Sequence, residues 1–355
     1  MRFLFALPGF HLVERGAETA LLSVASKLAD AGHQVNVVGG GSDRVNVPYK
    51  YWRIPITTRE RFERFPKFPP LRSAEAWEDA SFASRLRATI DRIEYDVSVT
   101  CSYPFTNWAL SRGRGKRGKH IFVTQNGDWP AFSDRSEYRF FNCDGLICTN
   151  PDYFERNNQR WTARLIPNGI DLARFTGNSP NRERFRVNSN SPAVLMVSAL
   201  IESKRVRRGV EAVAELEGVQ LIVAGDGPLR DDIDAFAQQL LGERYRRLTV
   251  PSEDMPLLYA SVDCFLHLSK TESFGNVFVE AMASGLPVVA HDLKRTRWIV
   301  GDNPFFCNTD DQDALVSTLR AALSAGSRSY PSTLMRFDRS VVAQHYAEFA
   351  EAVLG

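Results

Sequence analysis

Lys270-Thr271-Glu272-Ser273-Phe274-Gly275-Asn276-Val277-Phe278-Val279-Glu280-Ala281-Met282-Ala283-Ser284-Gly285-Leu286-Pro287 follows an apolar run, Cys264–Leu268, and precedes another, Pro287–Ala290. It reads as a strand, a polar turn and the start of a helix running from about Phe274 to Ala283. A helix start presents backbone N–H groups and a partial positive charge, which suit a phosphate. Gly275 lets a ligand approach the main chain closely. From Val277 to Ala283 the only polar side chain is Glu280, on a helix that reads as buried. An isolated carboxylate there is costly, so Glu280 needs a partner. A vicinal diol such as a ribose fits its acceptor-only chemistry; a buried Arg or Lys fits as well. Glu272 either accepts from sugar hydroxyls beyond a bound diphosphate or merely complements the helix dipole.

The rhythm around this stretch is alternating strand and helix. Phe3–Leu7, Val35–Val38, Val97–Cys101, Ile121–Gln125, Gly145–Cys148 and Leu165–Ile166 read as strands, with a helix from about Ala17 to Ala31 closed by Gly32. A polar stretch rich in Asn, Pro and Gly, Leu172–Pro192, reads as a linker. The rhythm resumes with strands Val194–Val197 and Leu221–Ala224, a helix opened by Pro228, a strand near Leu248–Val250 and a helix near Met255–Ala260. A helix over Asp311–Leu323 and an amphipathic segment, Arg339–Leu354, complete the chain. The fold class is α/β: two Rossmann-like α/β/α domains, 1–171 and 172–338, with the helix at 339–355 returning to the first. Ligands are expected at the carboxyl ends of the strands.

Composition excludes several classes. The 355 residues are 44% hydrophobic and 24% charged with a net charge of +2, so nothing global points to nucleic acid. Met1–Leu7 is cut short by Pro8-Gly9, too early for a signal peptide, and no run is long enough to span a bilayer. Cys101, Cys143, Cys148, Cys264 and Cys307 form no CxxC pair and fit buried free thiols in a reducing cytoplasm. The six histidines are scattered without an i,i+4 pair, so no metal site is expected. His267 reads as packed, or near the turn.

The stretch Glu272–Val289 resembles the E-x7-E signature of retaining GT-B glycosyltransferases of family 4, usually E-x-F-G-x4-E-A-M-A-x-G-x-P-V-V. The resemblance covers nearly the whole chain. It implies the GT-B fold and metal-independent transfer from a nucleoside-diphosphate sugar, UDP- or GDP-linked, to an acceptor hydroxyl in cell-envelope glycan, glycolipid or metabolite biosynthesis. In this reading Glu272 contacts donor-sugar hydroxyls, Glu280 holds the ribose, and the backbone of Ser273, Phe274, Gly275, Asn276 and Val277 holds the diphosphate. Val197-Ser198-Ala199-Leu200 with Lys204 is similar to the family's V-G-R-L-x3-K-G segment. Lys204 would neutralise the leaving diphosphate and Ser198 would line the donor site. Ala199 replaces the usual arginine and Arg205 the glycine, so Arg205, Arg207 or Arg208 is expected to supply the cation. Gly225 and Gly227 match a G-x-G-P turn, Pro251 lies in the loop that holds the base, and Ile166–Asp171 matches a P-N-G-V-D turn at the hinge.

In the first half, Arg15-Gly16-Ala17-Glu18 resembles G-G-A-E, a loop beside donor phosphates and acceptor. Arg15 either reads an anionic ligand or sits at the surface. Where relatives carry a histidine, this chain has Gln125-Asn126-Gly127-Asp128. Asn126 and Asp128 are expected on the acceptor side, with Asp128 orienting a hydroxyl or simply capping a turn. Tyr49–Arg72 mixes bases with aromatics and reads as a surface loop or as a lip touching the inner face of a membrane. A non-catalytic nucleotide-sugar-binding scaffold and a GT-B epimerase are the rival readings.

Overall fold

The computed structural model describes residues 1–13, 15–112, 118–133 and 141–355. They divide into two compact units: Met1–Gly169 with Arg339–Gly355, and Ile170–Asp338.

The first unit is a seven-stranded, wholly parallel sheet. Its strands are β1 (Arg2–Ala6), β2 (Gln34–Gly39), β3 (Lys50–Arg53), β4 (Val97–Cys101), β5 (Lys119–Val123), β6 (Gly145–Cys148) and β7 (Ala163–Leu165). Their spatial order is β3-β2-β1-β4-β5-β6-β7. The inner strands are apolar on both faces because helices cover both: Phe3, Leu4, Phe5 and Ala6 are all buried. Helix α1 (Gly16–Asp30) ends where the sequence indicates. Gly32 takes φ 87°, its N–H donates to Ala29 O and that of His33 to Leu28 O, a Schellman closure. The other helices of this unit are α2 (Ala74–Ile90), α3 (Pro104–Ser111), the short α4 (Trp129–Phe132) and α5 (Pro151–Asn157). The C-terminal helix, Arg339–Leu354, inserts Val342, Tyr346 and Phe349 into the same core as Phe3, Leu21 and Ile121. A Cβ at Gly145 would stand 3.0 Å from the Phe349 ring, and one at Gly169 2.8 Å from the Arg339 Cα, so glycine allows this approach.

The second unit holds a six-stranded parallel sheet whose strands lie side by side in the order Tyr245–Leu248, Gln220–Ala224, Ala193–Val197, Cys264–His267, Val288–His291 and Phe306–Cys307. Its elements run α6 (Leu172–Phe175), β8 (Ala193–Val197), α7 (Val206–Ala214), β9 (Gln220–Ala224), α8 (Arg230–Leu241), β10 (Tyr245–Leu248) and α9 (Met255–Ala260). They continue with β11 (Cys264–His267), α10 (Asn276–Ala283), β12 (Val288–His291), α11 (Lys294–Val300), β13 (Phe306–Cys307), α12 (Gln312–Ala325) and α13 (Pro331–Met335).

Residues 172–192 are not a linker. Phe175, Phe185 and Val187 are buried in the core of the second unit, and Arg182 grips both Asp263 oxygens at 2.7 and 2.6 Å. The chain instead passes between units at Gly169–Ile170, inside the P-N-G-I-D turn, and again at Asp338–Arg339. The segment Tyr49–Arg72 is also more ordered than a surface loop. Lys50–Arg53 is edge strand β3, and Phe62, Phe65 and Phe68 pack around Trp77 at centroid distances of 6.2, 5.4 and 5.9 Å. All five cysteines are free thiols, four of them buried. Among the described residues, no helix is long and apolar enough to cross a membrane.

Candidate active site

The end of β11 and the start of α10 build the site in the second unit. Gly275 caps α10 with φ 89°, a left-handed conformation that glycine adopts without penalty. A Cβ there would also fall 2.8 Å from the Phe278 ring. The positive end of α10 therefore emerges directly after Glu272 and Ser273.

Glu272 is the hub. Its Oε1 pairs with Lys204 Nζ and lies 3.1 Å from His267 Nε2. Arg295, on α11, donates to its main-chain carbonyl. Burial alone would raise the carboxyl, but hydrogen bonds and charge from His267 and Lys204 override it and hold the group at about 2. His267 is buried at the end of β11, its ring edge-on to Phe278 at 4.7 Å. Packing and contact with Glu272 thus coexist in one residue.

Lys204 ends a 3₁₀ turn, Glu202–Lys204, beyond β8. That turn is braced by the Gly225–Gly227 loop: Leu200 N–H donates to Asp226 O at 2.9 Å and Leu229 N–H to Leu200 O at 3.1 Å. A Cβ at Gly225 would fall 1.9 Å from Ser198 O, and at Gly227 2.6 Å from Leu200 O. Both glycines position the lysine loop, a role the motif match did not indicate. Ser198 Oγ is buried with no hydrogen-bond partner. Pro251 is exposed and opens a 3₁₀ turn, Ser252–Asp254, to which Arg174 and Arg184 are tied.

Glu280 has the partner its burial demands, and it is neither Arg nor Lys. The Tyr259 hydroxyl donates to Oε2 at 2.9 Å. Burial raises the Glu280 carboxyl, with Tyr259 and the charge of Arg174 opposing. One tyrosine leaves acceptor capacity on the second oxygen.

The cation expected from Arg205, Arg207 or Arg208 does not come from them. Arg205 adopts φ 55°, where the resembled family has glycine, and its guanidinium is held by Leu268 O, Thr309 and Asp310. Arg208 joins it on Thr309 O and Asp310 O, and Arg207 lies 3.7 Å over the Phe236 ring. Arg205 and Arg208 are committed to the loop at 309–310, and Arg207 packs α7 against α8. Arg295, which no motif pointed to, touches the signature loop at Glu272.

In the first unit, Arg15 is the residue capping α1, and Gly16 is the helix's first residue; both are exposed. Glu18, one turn on, is buried and its carboxyl raised by burial. Arg15 and Asn126 line one cavity. Asp128 makes no side-chain cap to α4, and its carboxylate is engaged within the protein. Its carboxylate receives Arg156 at 2.9 and 2.7 Å and Asn157 at 2.7 Å. Gln125 is likewise spent on a reciprocal amide pair with Asn168, at 2.6 and 3.1 Å. Among the described residues, no cluster of His, Cys, Asp and Glu is arranged to hold a metal ion.

Comparison with known proteins places the family and the fold. Residues 15–174 match the Glycosyltransferase Family 4 model and residues 178–333 match Glycosyl transferases group 1. The lipopolysaccharide core biosynthesis glycosyltransferase LpsE of Rhizobium meliloti is 28% identical over 64% of this chain and 68% of its own length. Sucrose-phosphate synthase from Thermosynechococcus elongatus superposes with a TM-score of 0.78, covering 99% of this chain and 98% of that one at 20% identity. Anabaena HepE, solved in complex with UDP-glucose, superposes with a TM-score of 0.73 at 19% identity, covering 99% of this chain and 100% of its own. The chain belongs to the family 4 glycosyltransferases of the GT-B fold.

Proposed function

We propose that the protein transfers a sugar from a nucleoside-diphosphate sugar to an acceptor hydroxyl, with retention at the anomeric carbon and without a metal ion. The observation that carries this reading is the Lys204–Glu272–His267 cluster at the head of α10, with Glu280 one turn into that helix and bonded to Tyr259 of α9. A diphosphate at the helix start would draw Lys204 away from Glu272. The freed carboxylate then accepts from donor-sugar hydroxyls while Glu280 accepts from the ribose. The bond from the anomeric carbon to phosphate oxygen breaks, the acceptor oxygen bonds to that carbon on the same face, and the acceptor proton passes to the departing phosphate. Lys204 and the α10 dipole stabilise the charge that develops there. Because Lys204 and the helix supply positive charge, the reading assigns the diphosphate to them. The UDP-glucose bound by HepE supports a UDP-linked donor, and GDP is the next choice. The naming of LpsE supports an acceptor in cell-envelope glycan or glycolipid synthesis; the cytoplasmic face of the membrane is the location this reading assigns to it.

The test is release of nucleotide from a panel of UDP-, GDP- and ADP-sugars in the presence of EDTA, with and without acceptor. No turnover of any donor sinks the transferase reading, loss of turnover in EDTA sinks metal independence, and an inverted product by NMR sinks retention.

A further inference from the structure

The first unit contains a cavity of about 790 Å³, within the roughly 300–1,000 Å³ range of small-molecule sites. Its lining includes the aromatic rings of Tyr103, Trp108, Trp129 and Phe141. It also includes four arginines, Arg15, Arg59, Arg72 and Arg112, and two carboxyls, Glu75 and Asp79.

Both carboxyls are engaged within the protein. Arg59 and Glu75 offset each other at 3.3 Å, and Arg59 also reaches Glu78 at 3.4 Å. Asp79 is wholly buried and turned to structural use. It accepts from Phe105 N–H at 2.7 Å, Thr106 N–H at 2.9 Å and the Thr106 hydroxyl at 2.6 Å, closing the start of α3. Burial further pushes its carboxyl up to about 7, which weakens its negative charge near neutrality. Arg112 lies 5.6 Å over the Trp108 ring, so cation and aromatic face are presented together. Arg15 has no ion-pair partner among the described residues and is exposed.

A second observation marks the same spot. Ser102, at the carboxyl end of β4, takes φ 61° and lines the cavity. Non-glycine residues in this region are strained, and such strain concentrates at functional sites. The bend points the chain into α3 and opens the cavity at the carboxyl end of the sheet, where ligands of parallel α/β units bind.

We propose that this cavity is the acceptor subsite and that it selects acceptors carrying an anionic group, phosphate or carboxylate, next to a ring or chain with an apolar face. Arg15 receives the anion, and the tryptophans pack against the apolar face. The inference rests on the transferase reading only for the word acceptor; the anion selectivity is a property of the cavity.

Calorimetric titration tests it with glucose-6-phosphate against methyl glucoside, and dihexanoyl phosphatidylglycerol against dihexanoyl glycerol. Each anion is expected to bind at least about tenfold more tightly than its neutral counterpart, the scale of one charge-assisted hydrogen bond. Arg15→Gln is expected to shrink that ratio below about threefold, and Arg15→Lys to keep most of it. Tighter binding of the hexose phosphate assigns the anion to a phosphorylated glycan; tighter binding of the lipid assigns it to a headgroup. Equal binding of charged and neutral members, a ratio untouched by Arg15→Gln, or inorganic phosphate binding as well as either probe overturns the proposal. Donor hydrolysis in the same preparation reads the transferase separately: hydrolysis without charge selectivity refutes only the subsite, and charge-selective binding without hydrolysis refutes only the transferase.

Discussion

Replacing Glu280 by Gln should separate stability from nucleotide binding. Tyr259 donates to Oε2 at 2.9 Å, which leaves lone pairs on both oxygens for a ribose diol. The amide keeps one acceptor oxygen and puts N–H donors in place of the other, so one charge-assisted hydrogen bond is lost. Such a bond contributes about 1.5–3 kcal/mol, or roughly 10- to 150-fold in nucleotide affinity. Differential thermal unfolding reads this directly. A nucleotide at 100 times its Kd stabilises by about 2.7 kcal/mol, and after a hundredfold loss the same concentration gives about 0.4 kcal/mol. For a unit of about 170 residues the unfolding entropy is near 0.35 kcal/mol/K, so the ligand-induced shift should fall from about 8 °C to about 1 °C.

The unliganded protein should respond in the opposite sense. Burial raises the folded-state carboxyl above its ordinary 4.5, with Tyr259 and Arg174 only partly compensating. The penalty is absent below 4.5, where folded and unfolded states are both protonated, and grows as pH rises through the raised value. Glu280→Gln without ligand should therefore be at least as stable as wild type at neutral pH, with the difference vanishing in acid. A mutant that keeps the full nucleotide shift, or whose unliganded midpoint drops at neutral pH, refutes the reasoning.

Lys204→Ala should lower transfer about 10²–10³-fold with little change in the unliganded fold, read by donor turnover, because it removes the cation facing the developing charge. For Glu272, held at about 2 by His267 and Lys204 against burial, the stabilising contribution is present above the ordinary 4.5 and lost as pH falls toward 2. Urea unfolding between those values should therefore be steeper in pH for wild type than for Glu272→Gln. Gly275→Ala forces a side chain into φ 89° against Phe278 and should destabilise by about 2 kcal/mol or more while weakening nucleotide binding. Asp128→Ala should cost about 1–2 kcal/mol, discounted because the Arg156 side chain is 45% exposed, and should leave kcat intact. A large fall in kcat with unchanged stability would return Asp128 to the acceptor.

The strands and the signature loop were legible because their physics is local. Central parallel strands must be apolar on both faces, and a glycine between strand and helix must serve the turn. What stayed hidden depends on charge put to structural use. Helix α2 buries Glu78 and Asp79 on the same face as Phe82, Leu86 and Ile90, so its apolar periodicity is broken by carboxylates that cap α3 and hold Arg59. Strand β10 lies two to three residues earlier than the apolar pattern suggests because Arg246 and Arg247 occupy its middle. The segment 172–192 looked like a linker because an Arg182–Asp263 pair and three separated apolar anchors do not form a pattern. Asp128, Gln125 and Tyr259 were unreadable for another reason. Each is defined by a partner that folding brings from 21 to 43 positions away.

The two departures in the lysine segment are connected through the signature loop. The residue after Lys204 adopts a left-handed backbone, which costs a non-glycine residue about 1 kcal/mol or more. Arg205 accepts that strain at φ 55° and offsets it by binding Leu268 O, Thr309 and Asp310, and Lys270 pairs with the same Asp310. The loop after β11 is thereby fixed from its front end by Arg205 and Lys270, and at Glu272 by Arg295 from α11. Glycine would give the turn without the brace. The arginine lost at Ala199 is not restored on the lysine loop, and Lys204 and His267 both contact the Glu272 carboxylate. On the proposed reading, exchange of Lys204 from Glu272 to phosphate is the step on which donor binding turns.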